Sequence, residues 1–470
     1  MAGDGHTINL TPNRDTRGHW VKEDQKITWL EWLGINSSPD LRKARRLGRL
    51  IGIVLVLNTA SIGILVLIEI YQALLGIDLE TDTTQHEAVR NVGLALAAII
   101  GLPFIVWRSM VAQRQVNVAE EGLITDRINK AVAGLGTDKT VKRQRIDSSG
   151  KKIFEQDGEG KPDLSRPVWD EVTEPNLEVR IGALFALERI SQDSERDHIQ
   201  IIEILCAYIV ENMDQSHIAL PKDENASPDT WRTWGQSNPP VRPRADLDVA
   251  LRILGRRNPD RLNIEAKADY RANLNYVRFR KLNLSRCLFV NADLRAAHLQ
   301  GVTLWGAQLQ GANLNQAQLQ GADLWQAQLQ GAHLEQAQLW GADLGHAQLQ
   351  GATMWGAQLQ GANLAKAQLQ GAKLEATTFS IETAFKPASL RGAGLKAVDL
   401  SMLELDQRIV NQSYGDSDVS LPAGLDWPDH WHPKNAEPLT PLKFQTAWRA
   451  HQSSIGFDPD DPSTWDDPAD

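Results

Sequence analysis

The sequence predicts a multidomain membrane protein in which a two-helix transmembrane hairpin carries a small α-helical region and a four-sided β-coil. Three observations predict it. Leucine returns every five residues through much of the second half of the chain, two long apolar runs near its start carry no charge, and apolar residues between these regions recur at helical spacing. At 470 residues the chain is too long for one ordinary core.

The leucine period sets the shape. "LQGADLWQAQLQGAHLEQAQLWGADLGHAQLQ" runs from Leu319 to Gln350, with alanine two residues before each leucine. On an α-helix, five steps of about 100° would spiral the leucines around the whole surface. On a flat strand, an odd period would send them to alternate faces. A chain that turns a corner every five residues keeps both Leu and Ala inside, and four sides close a coil of about twenty residues, stacked at roughly 4.8 Å. The expected core is Leu294, Leu299, Leu304, Leu309, Leu314, Leu319, Leu324, Leu329, Leu334, Leu339, Leu344, Leu349, Met354, Leu359, Leu364, Leu369, Leu374 and Phe379. The frame then slips by one residue and resumes at Phe385, Leu390, Leu395 and Leu400, which reads as a bulge or a corner insertion. Such a stack buries apolar surface only between neighbours, so its ends need caps.

The units "ANLNQ", "ADLWQ" and "ADLRA" resemble the pentapeptide-repeat family. The resemblance covers residues 262–402 and implies a right-handed quadrilateral β-helix.

Leu50 to Ile68 and Val92 to Trp107 are free of charge and suit two spans. Arg42, Lys43, Arg45, Arg46 and Arg49 precede the first, and Arg108 and Arg114 follow the second. Asp78, Glu80, Asp82 and Glu87 lie between them, so both termini are expected in the cytoplasm. A buried hairpin of a soluble protein is the alternative. Gly93, Ala97 and Gly101 place small residues on one helix face, for packing within the hairpin or for homo-oligomerisation.

The expected divisions are a cytoplasmic segment 1–47, the hairpin 48–112, a juxtamembrane helix 113–136, a linker 137–172 and an α-helical adaptor 173–258. The coil 262–402, a C-terminal cap 403–457 and an acidic disordered tail 458–470 follow. Ile124, Ile128, Ala131, Val132 and Leu135 form a helical stripe, and 137–170 reads as a linker or a weak hairpin. "VRIGALFAL" and the following helix resemble a HEAT-type hairpin, with Asn176 and the pair Ser194 and Asp197 as candidate caps. The Pro-rich stretch 220–243 reads as a loop. The combination of these segments is similar to bacterial membrane-anchored proteins with pentapeptide repeats, a resemblance that implies no activity.

Little in the chain suggests chemistry, and a non-enzymatic protein without cofactor or metal is expected. There is no P-loop, no Cys-x-x-Cys and no nucleophile elbow. Cys206 and Cys287 fall at apolar positions, as buried thiols of a reducing compartment do. His298, His333 and His346 lie on the coil exterior at spacings that do not stack, and Asp429, His430 and His432 share a proline-flanked loop. The exterior offers glutamine columns (Gln308, Gln328, Gln348, Gln368; and Gln318, Gln338, Gln358) and the aromatic residues Trp305, Trp325, Trp340 and Trp355. The glutamines are expected to bond along the stack, and the tryptophans to form a partner surface or to stack on one another.

Between Ile264 and Leu400 there are 12 Lys and Arg against 9 Asp and Glu, which disfavours DNA mimicry and, with it, a topoisomerase-binding regulator. The reading is a membrane-anchored scaffold that presents the coil to a protein partner in or near the bilayer, with no nucleic acid. The alternatives are that regulator and a transport or channel-associated protein.

Overall fold

The computed structural model describes residues 61, 64, 68, 83–213, 218–223, 226–237, 240–385, 388–458, 461 and 464, with the backbone alone over 83–106. Two compact units divide the chain, Met1–Leu123 and Ile124–Asp470.

In the first unit, Ser61, Ile64 and Ile68 are helical, and helix α1 (Thr83–Leu135) begins. Among the described residues, no helix is long and apolar enough to cross a membrane. The expected span Leu50 to Ile68 lies outside the described residues except at those three positions. The expected span Val92 to Trp107 follows the backbone of α1, but its side chains before Trp107, and with them the packing expected of Gly93, Ala97 and Gly101, lie outside the described residues.

The second unit starts with the last turns of α1, whose Ile128, Ala131 and Leu135 are buried. Val132, expected in that stripe, is 41% exposed, because it stands about 100° from Ala131 around the helix axis. The residues expected as a linker or weak hairpin form a nested antiparallel ribbon. Strand β1 (Asp138–Gln144) pairs with β4 (Trp169–Pro175), and β2 (Phe154–Gln156) pairs with β3 (Pro162–Pro167). The polar composition is turn chemistry. Asp147 accepts from the Ser149 and Lys151 amides, Asp157 from those of Glu159 and Lys161, and Gly150 and Gly160 take φ +81° and +77°.

Helices α2 (Leu177–Asp193) and α3 (His198–Asn212) follow. Asn176 and Asp197 stand at their N-cap positions, yet neither side chain bonds a helix N–H; Asp197 accepts from the Ser194 hydroxyl at 2.6 Å instead. The stretch expected to be a loop contains helix α4 (Pro228–Gln236). Ser227 caps it by accepting from the Thr230 amide, and Pro228 occupies its first turn, where a missing N–H costs nothing. Helices α5 (Ala245–Gly255) and α6 (Pro259–Lys267) lead into the coil. Leu184, Leu187, Ile190, Ile201, Leu205, Ile209 and Leu254 form the fully buried helical core. Cys206 joins it, and burial pushes its thiol up to about 12.

The coil has the expected shape. Parallel bridges recur at twenty residues on all four sides, as in Asn273↔Asp293↔Asn313, Arg278↔His298↔Gln318, Asn283↔Thr303↔Asp323 and Leu288↔Gln308↔Gln328. Each expected core leucine from Leu294 to Leu374, and Met354, is at most 2% exposed. Each corner is a turn in which the amide two residues before the next core residue reaches back to the preceding core carbonyl, as Ala292 N–H does to Phe289 at 3.0 Å. The third turn residue has φ between about +50° and +66°, as a type II turn requires. At Phe379 the expectation fails: the side chain is only partly buried and meets Phe385 edge-on at 6.0 Å. The bridges Gln358↔Thr378 and Asn363↔Ala384 place one extra residue in that corner, which displaces Phe379 and leaves Phe385, 2% exposed, in the core.

Strands β5 (Lys373–Glu375), β6 (Gly394–Lys396) and β7 (Tyr414–Gly415) continue the parallel stack. Helix α7 (Gln407–Asn411) interrupts it, and the bridge Asp399↔Ser420 carries pairing past residue 402. Trp431 then closes the last coil, donating from Nε1 to the Ser413 carbonyl at 2.8 Å, while the His432 N–H donates to the Gly415 carbonyl at 3.0 Å. Helix α8 (Pro441–Ser454) lies on the coil side, where Trp448 Nε1 and Gln452 Nε2 donate to the Gly392 carbonyl. Of the acidic tail, only Asp458, Asp461 and Thr464 are described; the Thr464 carbonyl accepts from Arg391 at 3.0 Å.

At the other end, the helical region seals the first coil. Val241 N–H donates to the Lys281 carbonyl, and Arg257 Nη2 to that of Leu288. Arg257 also bonds Glu265 at 2.5 Å, Glu265 meets His198 Nε2 at 2.8 Å, and His198 Nδ1 meets Ser191 Oγ at 2.7 Å. The order Ser–His–Glu is that of a hydrolytic triad, but His198 is 0% exposed and Ser191 7%, so no substrate carbonyl reaches the hydroxyl. The cluster is a buried polar joint between helices and coil, each member satisfied by the next.

Candidate functional site

Helix α4 makes the site. One corner position of the coil recurs as Lys281, Gly301, Gly321, Gly341 and Gly361, and α4 lies along it. The glycines are needed for close approach. A Cβ on Gly321 would stand 2.2 Å from the Trp231 carbonyl oxygen, one on Gly341 2.3 Å from that of Pro228, and one on Gly361 2.3 Å from Pro228 Cβ. Trp231 is 4% exposed beneath the helix. The Lys281 ammonium donates to the Trp234 and Gly235 carbonyls at the C-terminal end of α4, where a cation is favoured, and lies 4.4 Å from the Trp234 ring centre. Arg232 bonds Asp229 at 2.7 Å and the Gly361 carbonyl.

Between α4 and the adjoining coil side lies a cavity of about 410 Å³. Its walls include Arg232 from α4, and Lys281, Thr303, Asp323 and Asp343 with Trp305 and Trp325 from the coil. The residues on the coil side recur at twenty-residue spacing, so Thr303, Asp323 and Asp343 stand in one row, bridged one to the next. Trp305 and Trp325 form the parallel row two residues on. Arg286, from the coil before, places its guanidinium 4.4 Å from the Trp305 ring centre. His346 meets Trp325 at 4.7 Å, and Gly345 makes room for that indole, since a Cβ there would lie 2.5 Å from it.

The carboxylates are held by neutral donors. Asp323 accepts from the Trp325 amide at 3.1 Å; Asp343 accepts from the Gly345 amide at 3.0 Å and from Asn363 Nδ2 at 2.9 Å. Burial pushes the Asp323 carboxyl above the ordinary range, and the charge of Asp343 adds to the effect. Arg232 and Lys281, the two cations that line the cavity, are both spent on tying α4 to the coil, so the cavity has an anionic, aromatic wall facing the helix.

The four tryptophans expected as one surface do not converge. Trp305 and Trp325 line the cavity, both half-buried. Trp340 is half-buried at the position before the Gly341 corner, its Nε1 buried without a partner. Trp355, 45% exposed, follows Thr353, which belongs to the row of Asn273, Asn313 and His333 on the opposite side of the coil. Fifty residues separate it from Trp305, two and a half coils, so the two point away from each other.

The glutamine ladders exist but run diagonally. Gln310 Nε2 donates to Gln328 Oε1 at 2.5 Å, and Gln300, Gln320, Gln330 and Gln350 donate in the same way to Gln318, Gln338, Gln348 and Gln368. The second glutamine of the Gln-Leu-Gln units ending at 310, 320, 330 and 350 thus feeds a glutamine eighteen residues later, a pairing the simple stack did not suggest. The exterior histidines are engaged separately: His298 with Gln318, His333 with Thr353, and His346 with Trp325. His430 and His432 meet the Ser413 and Glu437 carbonyls. Among the described residues, no three His, Cys, Asp or Glu side chains form a metal-holding group. Sequence reading missed α4 and therefore the cavity; Ser227-Pro228-Asp229, a cap followed by proline and an acidic first turn, was the available signal.

The family model of the pentapeptide repeats matches the chain in eight copies, over residues 287–326, 327–364 and 342–380. No curated protein matches the chain. Among solved structures, the chain is similar to HetL, a pentapeptide repeat protein involved in heterocyst differentiation regulation in the cyanobacterium Nostoc sp. strain PCC 7120. That match has 23% identity and a TM-score of 0.27, and covers 36% of this chain and 92% of that one. A second pentapeptide repeat protein from Nostoc PCC 7120 is 42% identical over 20% of this chain and 73% of its own, with a TM-score of 0.17. QnrB1, a plasmid-mediated fluoroquinolone resistance protein, is 18% identical over 32% and 82%, with a TM-score of 0.16.

Proposed function

We propose that this pentapeptide-repeat protein is a non-enzymatic scaffold whose β-helical column engages a protein partner. The observation that carries the reading is the cavity beside α4, where Trp305 and Trp325 stand on a wall fixed by stacked backbone bonds. A surface held by such bonds gives up little conformational freedom on binding, so its contacts convert to affinity with small loss. Indole side chains at a concave site are strong anchors for a partner.

The scaffold is tethered to the bacterial cytoplasmic membrane, with column and termini in the cytoplasm. The uncharged runs Leu50 to Ile68 and Val92 to Trp107 and their basic outer flanks support this part of the proposal. The column carries mixed charge, which speaks for a protein partner over a nucleic-acid-like role.

Crosslinking in native membranes, followed by purification of the full chain, tests the reading. Specific partners are expected, and they are lost when Trp305 and Trp325 are both changed to Ala. An unchanged partner set with that double variant removes the cavity from the interface, and recovery of the chain in the soluble fraction removes the tether.

A further inference from the structure

We propose that the cavity between α4 and the coil is a recognition site for an arginine side chain of a partner polypeptide. The inference rests on the scaffold reading only in assigning the arginine to a partner; the chemistry of the site stands by itself. Asp323 and Asp343 occupy successive coils in one row, so their backbones are about 4.8 Å apart and their side chains leave the same side of the coil. Among the described residues, neither has a Lys, Arg or His within ion-pair distance, and each is held only by amide N–H donors. Both are half-buried. Two adjacent acids partly removed from water call for a cation that can donate to both.

The cations already at the cavity do not supply it. Arg232 is fixed by Asp229 and the Gly361 carbonyl, and Lys281 by two carbonyls at the end of α4 and the Trp234 ring. Beside the acids, Trp305 and Trp325 offer indole surface, and the chain itself shows what such a ring accepts here, since Arg286 lies over Trp305 at 4.4 Å. A guanidinium is flat, carries donors in a fork and stacks on indole, so one group meets the acid row and the aromatic row together. An ammonium is a compact, strongly hydrated charge that satisfies one need at a time. The volume of about 410 Å³ holds one arginine side chain with part of its backbone.

Calorimetric titration of the full chain with N-acetyl-argininamide tests the site, with the N-acetyl-lysinamide and N-acetyl-citrullinamide analogues as controls. Citrulline keeps the shape and loses the charge. Arginine is expected to bind at least about tenfold more tightly than either control, a difference of about 1.4 kcal/mol. The Asp323→Asn/Asp343→Asn variant keeps the oxygens that accept the amide bonds, so it folds, as its melting curve verifies, and binds arginine at least about tenfold more weakly. Trp325→Leu weakens binding by a smaller factor.

Citrulline binding as well as arginine, unchanged affinity in the double Asn variant, or no heat at millimolar ligand each overturns the proposal. If the double Asn variant still captures the partners that the Trp305→Ala/Trp325→Ala variant loses, the arginine site is wrong while the scaffold reading stands. If no partner is captured by either chain and arginine still binds, the reverse holds.

Discussion

Two corner lines of the column, ten residues apart and therefore on opposite sides, use the same residue for different ends. Gly321 and Gly341 have φ near +63° and +62°, and Gly331 and Gly351 near +62° and +66°. Around the first pair α4 packs so closely that an added methyl would collide with backbone; around the second pair nothing lies within 4 Å. The turn itself does not demand glycine, because Gln316, Gln326, Gln336, His346 and Lys366 take φ between +56° and +60° at equivalent corners. Glycine in these repeats is therefore indispensable where another element lies down and merely convenient where none does.

The comparison can be broken at the covered line first. Gly321→Ala should free α4, because the obstructing atom is a main-chain oxygen and neither partner can yield. Amide exchange over 229–236 should become fast while the coil keeps its circular dichroism, a local loss of about 3 kcal/mol for unburying Trp231. Slow exchange in that variant would mean that the helix is held by something other than the corner.

A smaller change sharpens the same point. Lys281→Met removes the ammonium from two carbonyls at the end of α4, and about 2 kcal/mol of protection over 229–236 should go with it. At the open line, Gly331→Ala should cost only about 1–2 kcal/mol of overall stability, the price of an L side chain in a left-handed corner, with exchange in α4 unchanged. Equal losses at positions 321 and 331 in denaturant melts would erase the distinction.

The least effect concerns Asp323. Burial, with the charge of Asp343 adding to it, raises its pKa, so the folded chain retains a proton that the unfolded chain has already released. Stability then falls as pH rises from the ordinary carboxylate range through the raised value, and is level above it. Asp323→Asn should melt higher than the parent at pH 7, with the gap closing toward about pH 3. A variant less stable at every pH would show that the carboxylate is better satisfied than its surroundings indicate.

The column was legible because its rule is simple. A five-residue period with Leu and Ala inside admits one four-sided solution, and even the displaced frame after Phe379 could be read, although not that Phe379 would be the residue pushed out. What escaped depended on more than one period. Trp355 was grouped with Trp305 because both are indoles on the exterior, whereas counting half-coils puts them on opposite sides. The strap α4 escaped because Pro228 and its proline-rich surroundings suggest loop, while the Ser227 cap that outweighs them is one hydroxyl. The site lies where these two errors meet, since it needs α4 as one wall and only two of the four tryptophans.

Both ends of the stack are already bonded, the first coil by Val241 and Arg257 and the last by Trp431 and His432. An open rung would be a template on which a sister molecule could add itself, and then another, until the chains grew into a fibre. Occupying those rungs with the protein's own groups makes the column a unit of fixed length, so that crowding it together lengthens nothing.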